Sequence, residues 1–181
     1  MTVLETERLA LRHAELDDAC FIVELLNEPG WLRYIGDKAV HSIADAHRYL
    51  ETGPLDMYRR LGFGLYLVQR KSDSASIGLC GLIKRDALEF VDIGFAFLAR
   101  VGGQGYAIEA ATAMVLHAQK LGLQRLMAIT TLDNHASQKV LRKLGMRYER
   151  QMRMPNESEP LSVYAMDLEK TAKERDRAIV Q

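Results

Sequence analysis

The sequence predicts a single α/β domain built on a mostly antiparallel sheet of about seven strands. Short runs with strand-like alternation are interleaved with longer runs whose apolar residues recur at helical spacing. Three consecutive strand-like runs in the middle of the chain are joined by short polar turns, and such turns connect antiparallel neighbours. A chain of 181 residues can bury roughly two thirds of its unfolded surface in one core.

The first third of the chain predicts one strand followed by helices. The run Arg-Leu-Ala-Leu-Arg indicates the strand, and Asp17-Asp18 begins a helix that Pro29-Gly30 ends. A second helical region begins near Ser42 and is interrupted at Gly53-Pro54. The predicted elements of this part are a strand at 8–12 and helices at 17–28, 42–52 and 55–61.

The remaining two thirds predict strands and helices in alternation. Gly122 and Gly145 follow the two helical runs, where glycine is favoured because it adopts the left-handed conformation that ends a helix. Segment 155–160 is predicted to be a polar hairpin loop. The predicted elements are strands at 63–70, 77–85, 89–98, 126–131, 147–152 and 161–168, and helices at 105–121 and 136–144. We assign the domain to residues 1–168 and a charged tail to 169–181.

Composition excludes several partners. Lys and Arg together number 24, as do Asp and Glu, so no global positive field favours nucleic acid. No apolar stretch approaches the eighteen residues that a membrane span needs. Cys20 and Cys80 each lie in an apolar run, which predicts two buried free thiols and a reducing compartment. We therefore expect a cytoplasmic protein with neither nucleic-acid nor membrane partners.

A glycine-rich segment at 100–107 joins a predicted strand to a predicted helix. Three glycines within four residues permit positive φ angles, and the free N–H groups of the helix N-terminus favour an anion, most naturally a phosphate. Gly105 is followed by Tyr106 rather than by Lys and Ser or Thr, which excludes a Walker loop. A dinucleotide fingerprint needs a small residue and an acidic residue where Ile108 and Arg125 stand, so the sequence argues against a dinucleotide-binding loop.

The same segment resembles the acyl-CoA pyrophosphate loop of the GNAT N-acetyltransferases. Arg100, Gly103 and Gly105 fill that pattern of Gln or Arg, two residues, Gly, one residue, and Gly or Ala. Nearly the whole chain is similar to the ribosomal-protein N-acetyltransferase (RimJ/RimL-type) branch of the family. The other matching segments are Leu4 to Arg12, Asp92-Ile93-Gly94-Phe95, Gly105 to Ala110, Asn134, Ser137 and Leu144-Gly145-Met146.

The resemblance implies the GNAT fold, a central mixed and twisted sheet with helices on both faces. In that fold the fourth and fifth strands run parallel but splay apart, and the pantetheine arm of acetyl-CoA lies in the gap. Acetyl-CoA is thus the expected co-substrate, with an amine acceptor and no metal. Relatives are monomers or homodimers, and the sequence does not choose between these states.

The resemblance also implies which residues contact acetyl-CoA. Phe97 and Leu98 would offer backbone N–H and C=O groups, and Arg100 would add charge or brace the loop. Asn134 would bond the pantetheine or simply cap the following helix. Basic residues after it, Lys139, Arg142, Lys143 and Arg147, would serve the phosphates or form a solvated helix face. The pyrophosphate would bind Val101, Gly102, Gly103, Gln104, Gly105, Tyr106 and Ala107.

Acetyl transfer from a thioester needs a neutral amine, oxyanion donors and orientation rather than a nucleophilic residue. Asp92 matches the family's base position, with Glu89 as the alternative, although either carboxylate could be merely solvated or paired. Ser137 matches the position whose hydroxyl protonates the departing sulfur, or is an ordinary first-turn serine. Trp31 and Tyr34 would wall the acceptor cleft, or form part of the core or a lid.

The leading hypothesis is acetyl transfer to a primary amine, in particular a protein N-terminal α-amine. At pH 7 an α-amine with a pKa near ~8 is about one tenth neutral, whereas a lysine with a pKa near ~10.4 is neutral in under ~0.1% of molecules. Alternative acceptors are a small amine, a polyamine or an antibiotic. A non-catalytic acetyl-CoA-binding module and a nicotinamide-dependent oxidoreductase are the hypotheses from other classes.

Overall fold

The computed structural model describes residues 1–155 and 158–168. This part of the chain forms one sheet of eight strands with six α-helices. The strands are β1 (Thr2–Glu5), β2 (Leu9–Arg12), β3 (Leu65–Arg70), β4 (Ser76–Ile83), β5 (Asp92–Phe97), β6 (Arg125–Thr131), β7 (Arg147–Met152) and β8 (Leu161–Asp167). The helices are α1 (Ala19–Leu26), α2 (Pro29–Tyr34), α3 (Ile43–Thr52), α4 (Pro54–Leu61), α5 (Tyr106–Lys120) and α6 (His135–Lys143).

The predicted element order is confirmed, with one strand added at the start and one short helix, α2, added after α1. The strand order is β1-β2-β3-β4-β5-β6-β8-β7. The extra strand β1 pairs with β2 in an antiparallel hairpin, which makes the count eight rather than seven. The tail at 169–181 and positions 156–157 of the predicted hairpin loop lie outside the described residues.

The sheet opens between β5 and β6, which are the fifth and sixth strands once β1 is counted. These strands run parallel and have one registered pair, Asp92 with Met127. The Met127 N–H donates to the Val91 carbonyl at 3.0 Å, and no other parallel pairing occurs among the described strands. Beyond this junction the strands separate, which confirms the predicted splay.

Helices cover both faces of the sheet. Helix α5 packs against β2, β4 and β5, and the ring of its His117 lies 6.0 Å from the ring of Tyr66 on β3. Tyr66 is in register with Cys80, whereas Asp92 is in register with Ile83, three residues further along β4. Because side chains alternate between the two faces of a strand, Asp92 lies on the face opposite α5.

Three local predictions are wrong. Pro29-Gly30 does not simply end a helix, because α1 ends at Leu26 and Pro29 occupies the first turn of α2, where its missing N–H costs nothing. Glu89 lies outside β5, which begins only at Asp92. Cys20 is exposed on the outer side of α1, while Cys80 is buried as predicted, and burial raises the pKa of its thiol to about 12. Both thiols are free.

No helix within residues 1–155 and 158–168 is long and apolar enough to cross a membrane. In the same ranges, no cluster of three or more His, Cys, Asp or Glu side chains is arranged to hold a metal ion.

Candidate active site

The glycine-rich segment places a row of free backbone donors at the N-terminus of α5. Gly103 and Gly105 have φ angles of +75° and +82°, which bend the chain from the end of β5 into the helix. Among the described residues, the N–H groups of 103–108 donate to no protein acceptor, and Glu109 is the first to bond, to Gly105 O at 3.1 Å. Residues 102–105 are exposed. Free N–H groups at a helix N-terminus are suited to bind an anion.

Two of the predicted pyrophosphate donors are used within the loop itself. The Val101 N–H donates to Leu98 O at 3.1 Å, and the Gly102 N–H donates to Ala99 O at 3.0 Å. These bonds form a short 3₁₀ turn, Ala99–Val101, which orients the glycines that follow. The free donors therefore begin at Gly103, two residues later than the sequence predicted.

Arginines from distant parts of the chain surround this loop. Arg8 of the β1–β2 turn donates from Nη1 to Gln104 O at 2.9 Å, and its guanidinium carbon lies 4.5 Å from the centre of the Tyr106 ring. Arg70 at the end of β3 is paired with Asp73 and lies near Tyr106, and both neighbours raise the pKa of its guanidinium. Arg100 is paired with Glu24 of α1. Nothing local in the sequence links Arg8 or Arg70 to the glycines, so neither could be predicted as a neighbour of the loop.

Glu109 fixes the first turn of α5 to the N-terminal hairpin. Its Oε1 accepts from Thr6 Oγ1 at 2.6 Å and from the Arg8 N–H at 2.9 Å, and its Oε2 accepts from Arg8 Nε at 2.7 Å. Burial alone raises its pKa, but the hydrogen bonds from Thr6 and Arg8 hold that pKa below the ordinary value. The free N–H groups are thus held in a fixed direction.

The edge of β5 that faces the gap offers further backbone groups. The Leu98 N–H donates to Ile77 O of β4 at 3.0 Å, and Leu98 O accepts from Val101, so both groups of Leu98 are occupied. Because backbone groups alternate sides along a strand, those of Phe95 and Phe97 point toward β6, which has diverged at this level. Of the two predicted backbone contributors, Phe97 is the one left available.

Helix α2 crosses the open end of the splay. At its start, Glu28 Oε2 accepts from the Ala99 N–H at 3.2 Å, just beyond β5. At its end, Arg33 Nη2 lies 2.9 Å from Asp133 Oδ2, just beyond β6. Trp31 on this helix is buried, and its indole Nε1 has no partner among the described residues. Tyr34 is half-buried, with the Arg33 guanidinium 5.0 Å from its ring centre.

Asp92 lies at the closed end of the splay and is only 1% exposed. Arg85 Nε lies 3.1 and 3.2 Å from its two carboxylate oxygens. Burial raises the pKa of Asp92 to about 6, and the Arg85 charge opposes part of that rise. Glu89 is exposed and precedes the strand, so Asp92 is the carboxylate that the fold buries at this position.

Two further side chains, one on α3 and one in the same loop as Arg85, lie near Asp92 and Arg85. Tyr49 of α3 lies close enough for the Arg85 charge to lower its pKa, although burial raises that pKa to about 12. Lys84 donates from Nζ to Leu88 O at 2.8 Å and to Glu89 O at 3.1 Å. No motif in the sequence identifies Arg85 or Tyr49 as a neighbour of Asp92.

The N-terminus of α6 contributes Asn134 and Ser137. Asn134 Oδ1 accepts from the Ser137 N–H at 3.1 Å, so the side chain caps the helix. Its Nδ2 and the Ser137 hydroxyl make no hydrogen bond within the described residues. Arg142 donates to Gln138 Oε1 at 3.2 Å and to the Tyr164 hydroxyl at 3.3 Å, whereas Lys139 extends into solvent.

Comparisons with known proteins agree with this geometry. Residues 8–147 match the model of the acetyltransferase (GNAT) domain. The uncharacterized protein YkkB of Bacillus subtilis is 29% identical over 171 residues, which cover 90% of this chain and 94% of YkkB. The uncharacterized N-acetyltransferase YoaA of the same organism is 28% identical over 150 residues, covering 81% of this chain and 84% of YoaA.

Solved structures share the fold. A GNAT-family acetyltransferase from Bacillus anthracis superposes with a TM-score of 0.77 at 24% identity, covering 93% of this chain and 99% of its own. The RimL ribosomal-protein α-N-acetyltransferase in complex with coenzyme A gives a TM-score of 0.79 at 19% identity, with 92% and 98% covered. Since the family match spans most of the sequence, the chain belongs to the GNAT family of acetyl-CoA-dependent acetyltransferases.

Proposed function

We propose that this chain transfers the acetyl group of acetyl-CoA to a protein N-terminal α-amine by direct attack within a ternary complex. One observation carries the proposal. A single strand, β5, has free anion-binding N–H groups beyond its C-terminal end and a buried carboxylate with a raised pKa at its N-terminal end. A donor held along that strand would present its thioester between them.

The residues of the loop and the gap suit acetyl-CoA. The N–H groups of 103–108 would hold the pyrophosphate, with the charges of Arg8 and Arg70 beside them. Phe95 and Phe97 would offer backbone partners to the two amides of the pantetheine arm, as strand edges do for extended ligands. The free amide nitrogen of Asn134 would supply another donor. RimL, a protein of the same fold, has been solved in complex with coenzyme A, which supports CoA as the class of ligand.

Asp92 would act as the general base. With a pKa of about 6 it is roughly nine-tenths ionised at pH 7, yet it holds a proton more readily than an ordinary carboxylate. It would take a proton from the ammonium of the acceptor, directly or through a water. The neutral nitrogen then attacks the thioester carbonyl, and the C–S bond breaks as the tetrahedral intermediate collapses to the amide. The Ser137 hydroxyl would give its proton to the departing thiolate of CoA and regain one from the nitrogen, directly or through a water.

The choice of an α-amine rests on two arguments. An α-amine has a lower pKa than a lysine or a polyamine, so a carboxylate base deprotonates it more readily. RimL, which shares the fold, is a ribosomal L7/L12 α-N-protein acetyltransferase. A small amine, a polyamine or an antibiotic is the alternative class of acceptor.

The first experiment is thermal melting with acetyl-CoA, CoA, ATP and a nicotinamide dinucleotide, followed by CoA release in the presence of acceptors. Ligand at a hundred times its dissociation constant should stabilise the fold by about 2.7 kcal/mol. We expect a shift confined to the CoA compounds and faster CoA release with N-terminal peptides than with polyamines. A shift without turnover on any acceptor would indicate a non-catalytic acetyl-CoA-binding module instead.

A further inference from the structure

We infer that Arg85 forms an anion-binding site beside Asp92, and that the preferred acceptor carries a carboxylate within about one residue of its reacting amine. In a peptide acceptor this carboxylate is an Asp or Glu side chain at the second position. The inference rests on the proposed function, because it concerns the acceptor of that same reaction.

The first observation is how Arg85 uses its guanidinium. Nε alone contacts the Asp92 carboxylate, at 3.1 and 3.2 Å from its two oxygens. Nη1 and Nη2 donate no hydrogen bond to any of the described residues. A guanidinium offers five donors in a planar fork that matches a carboxylate. Four of these donors therefore remain for a ligand.

The second observation is the contrast in exposure across the pair. The Asp92 side chain is 1% exposed, whereas the Arg85 side chain is 37% exposed. The guanidinium therefore lies between the buried carboxylate and solvent. An acceptor whose amine reaches Asp92 brings its neighbouring groups alongside Arg85.

The third observation is the balance of charge around Asp92. The charged groups that act on it are Arg85 and Lys84, both cations, and the nearby Tyr49 hydroxyl is neutral. The Lys84 ammonium is occupied by the carbonyls of Leu88 and Glu89. The charged side chains that act on Asp92 are thus both cationic, while Asp86 and Glu89 of the same loop are exposed to solvent. This arrangement disfavours a polyamine and favours an acceptor that supplies a second negative charge.

The apolar surroundings strengthen this effect. Asp92 is in register with Met127, which belongs to a buried apolar cluster with Leu88, Val163 and Ala165. Low-dielectric walls weaken screening, so an ion pair formed with Arg85 here is stronger than one on an open surface.

The experiment compares matched peptides that share an N-terminal residue and carry Asp or Asn at the second position. Both kcat/KM and equilibrium binding to the CoA-loaded protein are measured for the wild type, Arg85→Gln and Arg85→Lys. Arg59→Gln serves as the control, since Arg59 is an exposed arginine on α4 that is paired with Asp56. Acetyl-CoA affinity is measured in parallel to confirm that each variant is folded.

We expect the wild type and Arg59→Gln to prefer the Asp peptide roughly tenfold, as one charge-assisted hydrogen-bonded contact provides. Arg85→Gln should bring the ratio close to one, and Arg85→Lys should retain part of it. Loss of Arg85 also alters Asp92, but that effect acts on both peptides and cancels in the ratio. A wild-type ratio near one, or the same ratio in Arg85→Gln, overturns the inference.

The binding arm separates this inference from the proposed function. If acetyl-CoA binds but no peptide is acetylated, the proposed transfer to an α-amine is wrong. The Asp-to-Asn binding ratio of the wild type and of Arg85→Gln then still decides whether Arg85 holds a carboxylate.

Discussion

The two ends of β5 serve the site in different ways. Beyond its C-terminal end, exposed glycines present backbone N–H groups whose direction follows from two positive φ angles and a helix N-terminus. At its N-terminal end, one carboxylate is buried against an arginine from a neighbouring loop and has a raised pKa. Backbone donors need only a local conformation, whereas a functional side chain needs an environment built by several elements.

The strongest test of this contrast is Asp92→Asn. General-base catalysis contributes roughly 10²- to 10⁴-fold, so we expect kcat to fall at least about 100-fold. Acetyl-CoA should still raise the melting temperature as it does for the wild type, because the proposed pyrophosphate site lies at the other end of the strand. Asp86→Asn, which alters an exposed aspartate in the loop before β5, is the control and should leave the rate unchanged. An Asp92→Asn enzyme with a normal rate contradicts the role of base.

The dependence of stability on pH tests the burial of Asp92. Its pKa is about 6 in the folded state against 3.8 ordinarily, so the folded state binds more protons between these values. Stability from this group is therefore fully present below pH 3.8 and is lost as the pH rises through 6, an effect on the order of 3 kcal/mol.

Asp92→Asn removes that titration. We expect urea unfolding between pH 4.5 and 7.5 to show that the free energy of unfolding of the wild type falls relative to that of the variant as the pH rises. Other groups titrate in both proteins, so their contributions cancel in the difference. A difference that does not change with pH contradicts the raised pKa.

The smallest expected effect tests the loop end of the strand. Gly103→Ala places a Cβ in open space at a φ of +75°, and Gly122→Ala after α5 does the same at +77°. Both should lose roughly 1–2 kcal/mol of unfolding free energy, the cost of a left-handed non-glycine residue.

Gly103→Ala alone should also weaken acetyl-CoA binding, by roughly tenfold, which corresponds to one charge-assisted hydrogen bond. Melting curves with increasing acetyl-CoA give both quantities. Equal loss of affinity in the two variants would show that the loop matters only through overall stability.

Local signals were enough to predict most elements and the glycine loop. Ser42 caps the N-terminus of helix α3, because its hydroxyl accepts from the Asp45 N–H at 3.2 Å. Asn134 caps the N-terminus of α6 in the same way. Predictions failed where a residue's role depends on neighbours distant in sequence. Cys20 has an apolar sequence context but faces outward, and Pro29 begins a helix instead of only ending one.

In the candidate site too, local features were predictable from the sequence and contacts between distant residues were not. The sequence singled out Asp92 and the loop, but it did not connect Arg8 with Gln104, which is 96 positions away, or Arg33 with Asp133, 100 positions away. Ion pairs and hydrogen bonds between charged side chains follow no fixed spacing in a sequence. A charged residue that will be paired therefore cannot be told from one that will be solvated.

The sequence by itself determined the family, the order of the elements and the position of the anion loop, because hydrophobic periodicity and glycine conformations act over a few residues. Only the tertiary structure decided that Asp92 is buried with a raised pKa, that Arg85 stands between it and solvent, and that α2 crosses the splay. A pKa depends on local solvation and on nearby charges, and both are set by elements that meet only when the sheet has formed.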